Sequence, residues 1–286
     1  MILPLYIAFL FQLFLFGTHV CVSSAEILQM KPTKKPSKKP TKQMVKTKAP
    51  SRKRTSPPNQ DGCKQTIVSE EDKKVACNYL GVSDVVKCLN TTSYFSYFPK
   101  VIPTQIGLLT KLTSLGRVAK GTIPTEIGCL TRMESINIYS NYYDDCSGGL
   151  RGKIPTSIGK LTRLIHLTFS SNQLTGTIPT SLGSLTKLTA LELNDNQLTG
   201  TMLSSLGSLT KLTALYLNNN QFTGKILSSL GSLTKLTALY LYNNQLTGTI
   251  STSLGSLKTL TALYLYNNQL TGTIPTFLGS LTKWTA

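Results

Sequence analysis

From residue 154 onward the apolar positions recur on a fixed period: Ile154, Ile178, Met202, Ile226, Ile250 and Ile274 stand 24 residues apart in sequence. A fixed period of this length marks an array of stacked units. One unit reads Leu188-x-x-Leu191-x-Leu193-x-x-Asn196-x-Leu198-x-Gly200-x-Met202, then Leu206-Gly207-x-Leu209. The alternation at Leu191 and Leu193 predicts a short strand with one face buried. The spacing of Leu206 and Leu209 predicts a helical or 3₁₀ turn returning along the other side. A unit this short cannot bury its own apolar face, so stacking is obligatory. The segment from Leu188 to Lys211 differs from the next, Leu212 to Lys235, at 5 of 24 positions, so neighbouring units are nearly interchangeable.

Two polar columns accompany the apolar one. Asn141, Asn172, Asn196, Asn220, Asn244 and Asn268 share one position. A carboxamide both donates and accepts, so a stack of them is expected to satisfy backbone groups at each inner turn that would otherwise be buried unpaired. Gly176, Gly200, Gly224, Gly248 and Gly272 form the second column and are expected to serve tight backbone geometry. Irregularity is confined to the first units. The step from Ile102 to Ile123 is 21 residues and that from Ile123 to Ile154 is 31, which places seven extra residues within 142–149. An insertion in an otherwise uniform array projects as a loop, a candidate for specificity.

At these residues the sequence resembles the plant-type leucine-rich repeat, Leu-x-x-Leu-x-Leu-x-x-Asn-x-Leu-x-Gly-x-Ile-Pro followed by a short helix, over 102–286. The resemblance covers receptor-like and polygalacturonase-inhibitor-like repeats. It implies an α/β solenoid, a right-handed superhelix with a parallel sheet on the concave face and short helices outside, and it implies ligand recognition outside the cell. Leu203, Leu227 and Ser251 replace the Pro found at Pro155, Pro179 and Pro275, and are expected to loosen the turn after the strand. Cys77-Asn78-Tyr79-Leu80-Gly81-Val82 resembles the N-terminal cap of such repeats, with Tyr79 where the cap usually has Trp. A Cys77 to Cys88 bridge would then seal the first repeat, and a Cys129 to Cys146 bridge would tether the inserted loop. Cys63 is left over.

Outward positions of the concave strands carry Tyr139, His166, Glu192, Tyr216, Tyr240, Tyr242, Tyr264 and Tyr266 among smaller polar residues. With strands about 4.8 Å apart, Tyr216, Tyr240 and Tyr264 should form one ladder with Tyr242 and Tyr266 beside it. Tyrosine offers large amphipathic area at low entropic cost and suits protein or sugar surfaces. It also suits strands for reasons of packing alone, and the sequence leaves both readings open. Lys187, Lys211, Lys235 and Lys283 recur just before the strands as a basic rim.

The remainder of the chain changes the picture at its start. Residues 2–22 are strongly apolar and are followed by Ser23-Ser24-Ala25, which fits a signal peptide over 1–25 cleaved after Ala25. The absence of Lys or Arg before this segment, and the basic run after it, would instead suit a membrane anchor. Residues 26–60 form a Lys/Pro-rich basic linker. From Lys31 to Arg54 it contains neither acid nor aromatic residue, and repeated Pro with mutually repelling charge predicts disorder. As a polycation it would hold the protein to an anionic matrix; as a spacer it would do nothing more. A cap containing cysteines is expected over 61–101, followed by about seven repeats over 102–286. Asn90-Thr91-Thr92 is the one glycosylation sequon. Trp284 occupies the position of Leu188, so the array is expected to be truncated there, or to pair its end with a second copy or a partner.

The formal net charge of +18 is concentrated at the front, with 11 Lys and Arg against one acid in residues 1–54. Two His in 286 residues leave little material for a metal site, and no nucleophile, base and orienting group occur together. The chain is therefore read as a non-enzyme without metal or cofactor, secreted or at the cell surface. Nucleic acid is not an expected partner, and membrane association is expected only if the N-terminal segment stays uncleaved. Its function is expected to be recognition of an extracellular protein or polysaccharide through the concave face. The alternative is a structural wall, matrix or adhesion protein held to anionic surfaces by the basic stalk.

Overall fold

A computed structural model describes residues 69–80, 93–140 and 149–280. The chain divides into two units, Met1–Pro57 and Pro58–Ala286, and every described residue belongs to the second. The expected signal peptide and linker, Cys63, Cys88, Asn90, Cys146, most of the inserted loop and Trp284 lie outside the described residues, as does Asn141.

The described chain opens with helix α1 (Glu70–Leu80). Its start is fixed by Ser69, whose Oγ accepts the Asp72 N–H at 3.1 Å and donates to the Asp72 carboxylate at 2.7 Å. Glu70, Glu71 and Asp72 in the first turn suit the positive end of the helix dipole. Asp72 also accepts the Gln105 side-chain amide at 3.2 Å, which ties α1 to the first 3₁₀ turn, Thr104–Leu108. The Ser69 hydroxyl foremost, then Gln105, holds this carboxyl below its ordinary value.

The repeats then build a parallel sheet, one strand per unit, three residues long in every unit after the first. Strand β2 (Ser114–Thr122) is followed in this sheet by β3 (Ser135–Asn137), β5 (His166–Thr168), β7 (Ala190–Glu192), β9 (Ala214–Tyr216), β11 (Ala238–Tyr240) and β13 (Ala262–Tyr264). Their register is strict: Ala190, Ala214, Ala238 and Ala262 stand side by side, as do Leu191, Leu215, Leu239 and Leu263. The leucines point inward and are buried. This is the parallel sheet expected on the concave face, and 3₁₀ turns such as Ser204–Ser208 form the return.

The sequence reading missed a second strand in each unit. Strands β4 (Leu150–Gly152), β6 (Gln173–Gly176), β8 (Gln197–Thr201), β10 (Gln221–Lys225), β12 (Gln245–Gly248) and β14 (Gln269–Leu270) pair in parallel as well. β2 is long enough to join both sheets, through Ser114 to β3 and through Gly121 to β4, and β1 (Ser93–Val101) pairs along it. The signal was present in the Gln-Leu-Thr-Gly-Thr alternation, where Leu174 and Leu198 are buried between exposed or half-buried polar neighbours. The glycine column sits in this sheet at positive φ, 82° at Gly200, a conformation that side chains resist. Its missing Cβ leaves room for the Thr177 methyl, which would otherwise lie 2.7 Å away.

Loss of Pro does not loosen the turn. The residue before each 3₁₀ turn stays extended, at φ −70°, ψ 139° for Pro179 and φ −75°, ψ 141° for Leu227. At Ser251 the side chain also accepts the Ser253 N–H. Stacking between repeats supplies the constraint that the ring supplied elsewhere.

The asparagine column behaves as its chemistry requires. Asn220 Oδ1 accepts the Leu198 N–H at 2.9 Å, and its Nδ2 donates to the carbonyls of Leu193, Leu217 and Asn218. One buried side chain therefore serves four backbone groups in two repeats. On the opposite side the 3₁₀ turns approach so closely that a Cβ on Gly207 would lie 2.6 Å from the Ser229 carbonyl oxygen. The hydroxyls of Ser157, Ser205 and Ser229 are buried there without a partner. Asn220→Ala should therefore cost about 2–5 kcal/mol, since it orphans several buried groups at once. Ser205→Ala should leave stability unchanged or raise it by about 1 kcal/mol, because it removes an unpaired hydroxyl. Chemical denaturation of the two variants checks both signs.

Candidate functional site

On the outward face of the first sheet the strict register puts like beside like. Tyr216, Tyr240 and Tyr264 are the third residues of β9, β11 and β13 and lie beside one another; Tyr242 and Tyr266 follow two positions further on. The rings of Tyr216 and Tyr240 stack at 4.5 Å and 15°, and those of Tyr242 and Tyr266 at 4.6 Å and 12°. Tyr240 meets Tyr264 at 4.7 Å, tilted by 39°. Contacts at 6.4 Å between Tyr240 and Tyr242, and between Tyr264 and Tyr266, join the two rows. Exposure rises along the array, from half-buried Tyr216 to Tyr264 and Tyr266, which are 46% and 56% exposed.

This geometry decides what the ladder offers a ligand. A ring stacked on its neighbour has spent a face on that neighbour, so the stacked pairs present edges and hydroxyls outward. Burial, then the charges of Tyr240 and Glu192, raises the Tyr216 phenol above its ordinary value. Burial, then Tyr266 and Asp195, raises that of Tyr242 against an opposing hydrogen bond from Asn219. Both therefore remain proton donors across the neutral range.

The other predicted residues form a second, more polar group. Tyr139, His166 and Glu192 line a cavity of about 540 Å³ together with Ser135, Asn137, Thr168 and Ser170. Thr168 Oγ1 donates to Glu192 at 3.4 Å, and the Thr189 hydroxyl lies 3.5 Å from His166 Nδ1. Glu192 also pairs in register with Tyr216, so it stands where the polar cavity meets the tyrosine rows. Cys129, at the end of the 3₁₀ turn Thr125–Cys129, is disulfide-bonded. Among the described residues no group of three or more His, Cys, Asp or Glu could hold a metal ion.

One column escaped the sequence reading. Ser171, Asp195, Asn219, Asn243 and Asn267 all have φ between 53° and 56°, the left-handed region that Asn and Asp tolerate. Asn267 donates to Asn243 at 2.6 Å, Asn243 to Asn219 at 2.5 Å, and Asn219 to Asp195 at 2.5 Å. This amide chain edges the tyrosine rows and ends on a carboxylate, which Asn194 also contacts at 2.5 Å. The signal available was the doubled Asn at 219–220, 243–244 and 267–268, where the first residue serves the turn and the second the ladder.

Residues 145–285 match the family model described as a leucine-rich repeat region. The repeat array of this chain is a leucine-rich-repeat region. No curated protein matches it, but solved structures do. The leucine-rich-repeat ectodomain of the Arabidopsis thaliana membrane receptor kinase GASSHO1/SCHENGEN3, in complex with CASPARIAN STRIP INTEGRITY FACTOR 2, is 33% identical with a TM-score of 0.65, covering 70% of this chain and 24% of that one. A TDR receptor is 34% identical at a TM-score of 0.64, with 71% and 35% covered. The Arabidopsis receptor kinase HAESA, in complex with the peptide hormone IDA and the co-receptor SERK1, is 30% identical at a TM-score of 0.56, with 73% and 39% covered. The leucine-rich-repeat chain thus spans between a quarter and two-fifths of the length of these proteins. None of these comparisons indicates an enzyme family.

In an alkaline titration followed by tyrosinate absorbance, Tyr216→Phe and Tyr242→Phe should each remove one group that ionises above the ordinary tyrosine value. Because the folded state holds these two protons more tightly than the unfolded chain, stability should fall as pH rises through the ordinary tyrosine value of 10.0. Variants that remove a group ionising at or below that value would contradict the stacked, half-buried geometry.

Proposed function

We propose that this leucine-rich-repeat protein is a non-enzymatic recognition module acting outside the cell or at its surface, with an extended peptide segment of another protein as its ligand. The observation that carries the reading is the double tyrosine row. Five tyrosine side chains at one edge of the concave face lie against one another in two joined rows. Stacked pairs leave ring edges and phenol hydroxyls outward, which suits a peptide main chain with its regularly spaced donors and acceptors. A polysaccharide, the other ligand expected from sequence, needs exposed ring faces for its sugar planes, and the stacked pairs have few left. The peptide hormone bound to HAESA supports the same choice by likeness. Tyr139, His166 and Glu192 would read the polar end of the segment in the cavity beside Tyr216.

Secretion with cleavage after Ala25 remains part of this proposal. The disulfide at Cys129 supports it, since disulfides persist in oxidising compartments. Among the described residues no helix is long and apolar enough to cross a membrane. A second reading, a structural matrix protein held by the segment from Lys31 to Arg54, draws support from the uniformity of the strands, in which the same Ala-Leu pair recurs from β7 to β13.

A displayed peptide library selected on the full chain, with a variant carrying Tyr216→Ala, Tyr240→Ala and Tyr264→Ala as the counter-selecting surface, separates the two. The recognition reading expects enriched peptides whose affinity drops about tenfold or more on Tyr240→Ala, as for an interface hot spot. Peptides that bind the triple variant equally well, or no enrichment at all, would leave the matrix reading in its place.

A further inference from the structure

A second surface lies at the opposite edge of the same sheet. The residue three positions before the first paired residue of each first-sheet strand, β2, β3, β5, β7, β9 and β11, is a cation: Lys111, Arg132, Arg163, Lys187, Lys211 and Lys235. Each follows an exposed threonine and is itself exposed. Each Thr-cation pair is the tip of a tight turn closed by one backbone hydrogen bond, as from Leu188 N–H to the Leu185 carbonyl at 2.9 Å and from Leu212 to Leu209 at 2.9 Å.

Two residues beyond each cation the repeats are locked together by backbone. Thr213 N–H donates to Thr189, Thr237 to Thr213 and Thr189 to Ile165, each at 2.8 Å, and Ile165 to Glu134 at 2.7 Å. The turn tips therefore follow the strand spacing of about 4.8 Å and form one continuous stripe. Arg132, Arg163, Lys187, Lys211 and Lys235 enter no ion pair among the described residues, where the pair found is Lys73–Glu70. Glu134 is the one acid close to the stripe in sequence, while the far edge of the sheet carries the amide chain that ends on Asp195.

Like charges held side by side in fixed register raise the local potential and concentrate counter-ions. We propose that this stripe is a track for a linear acidic polysaccharide, which would lie across the turn tips with its anionic groups on successive cations and its hydroxyls on the interleaved threonines. The step from tip to tip is comparable with the length of one sugar unit. A single-stranded nucleic acid would call for aromatic side chains among the cations to stack its bases, and the stripe alternates its cations with threonine instead. The track belongs to the folded array, and so goes beyond both the tyrosine rows and any attachment through the basic stalk.

Lysine footprinting on the full chain tests this. The amines are labelled with an acylating reagent in the presence of alginate, of dextran sulfate or of polyuridylate, and each lysine is read by mass spectrometry. With alginate or dextran sulfate, labelling of Lys187, Lys211 and Lys235 should slow about fivefold, and the protection should fade as salt shortens the screening length. Lys153, Lys160 and Lys225, also exposed but outside the stripe, should change by less than about twofold under the same screening. Protection by one of the two polysaccharides alone assigns the track to carboxylate or to sulfate. Equal protection of the two lysine sets, or none in the first, overturns the proposal, and stronger protection by polyuridylate overturns the polysaccharide assignment. The peptide selection on the tyrosine variants reads a different surface, so either result stands without the other.

Discussion

The structure depends on one constraint: the backbone must turn sharply at the inner edge of every repeat without leaving its N–H and C=O groups unpaired. Asn172, Asn196, Asn220 and Asn244 meet that constraint from within the array, each buried and each bonded to backbone of its own repeat and of the one before. Because each carboxamide reaches back to an earlier repeat, it fixes where that repeat must sit. Tight stacking of the 3₁₀ turns at Gly159, Gly183 and Gly207 fixes the other side, since a Cβ there would lie within 2.6 Å of an atom of the following repeat. The leucines between the two sides then pack as a continuous ladder whose spacing is already determined.

Function follows from that register. A residue repeated every 24 positions becomes a column at strand spacing, and its chemistry is multiplied by alignment. Tyrosines align into stacked rows, asparagines and one aspartate into a directed amide chain, and lysines with arginines into a charged edge. No single repeat holds a site; the surfaces exist because the repeats are nearly identical. Departures mark the boundaries, as where Glu192 replaces the tyrosine of the next strands and the aromatic rows give way to a polar cavity.

The repeat architecture was legible in the sequence because its period reports packing directly. Leu191 and Leu193 fix the buried face of a strand, and Asn196 the inner turn, whatever the surface does. The second sheet was not legible by the same means. Its strands from β4 to β12 carry one buried leucine or phenylalanine each, as at Leu198 or Phe222, too few to show alternation within one unit, and their pairing becomes plain only when repeats are stacked. The tyrosine columns could be read as ladders, but not the angle between the rings. That angle, set by how neighbouring side chains share space, is what separates a face-presenting surface from an edge-presenting one. The left-handed residues before the ladder asparagines were hidden for a related reason: Asp195 and Asn219 resemble ordinary polar turn residues until their φ values and mutual hydrogen bonds are seen together.

Amide hydrogen exchange at Leu174, Leu198 and Phe222 tests the central constraint most directly. Their N–H groups bond to the side chains of Asn196, Asn220 and Asn244 at 3.0, 2.9 and 3.0 Å. If the asparagines hold the register, these amides open only when the array itself unfolds, and they should exchange as slowly as Leu191 and Leu215 in the core of the first sheet. Exchange at the rate of solvent-exposed turn amides would mean that the carboxamides decorate a register fixed by something else.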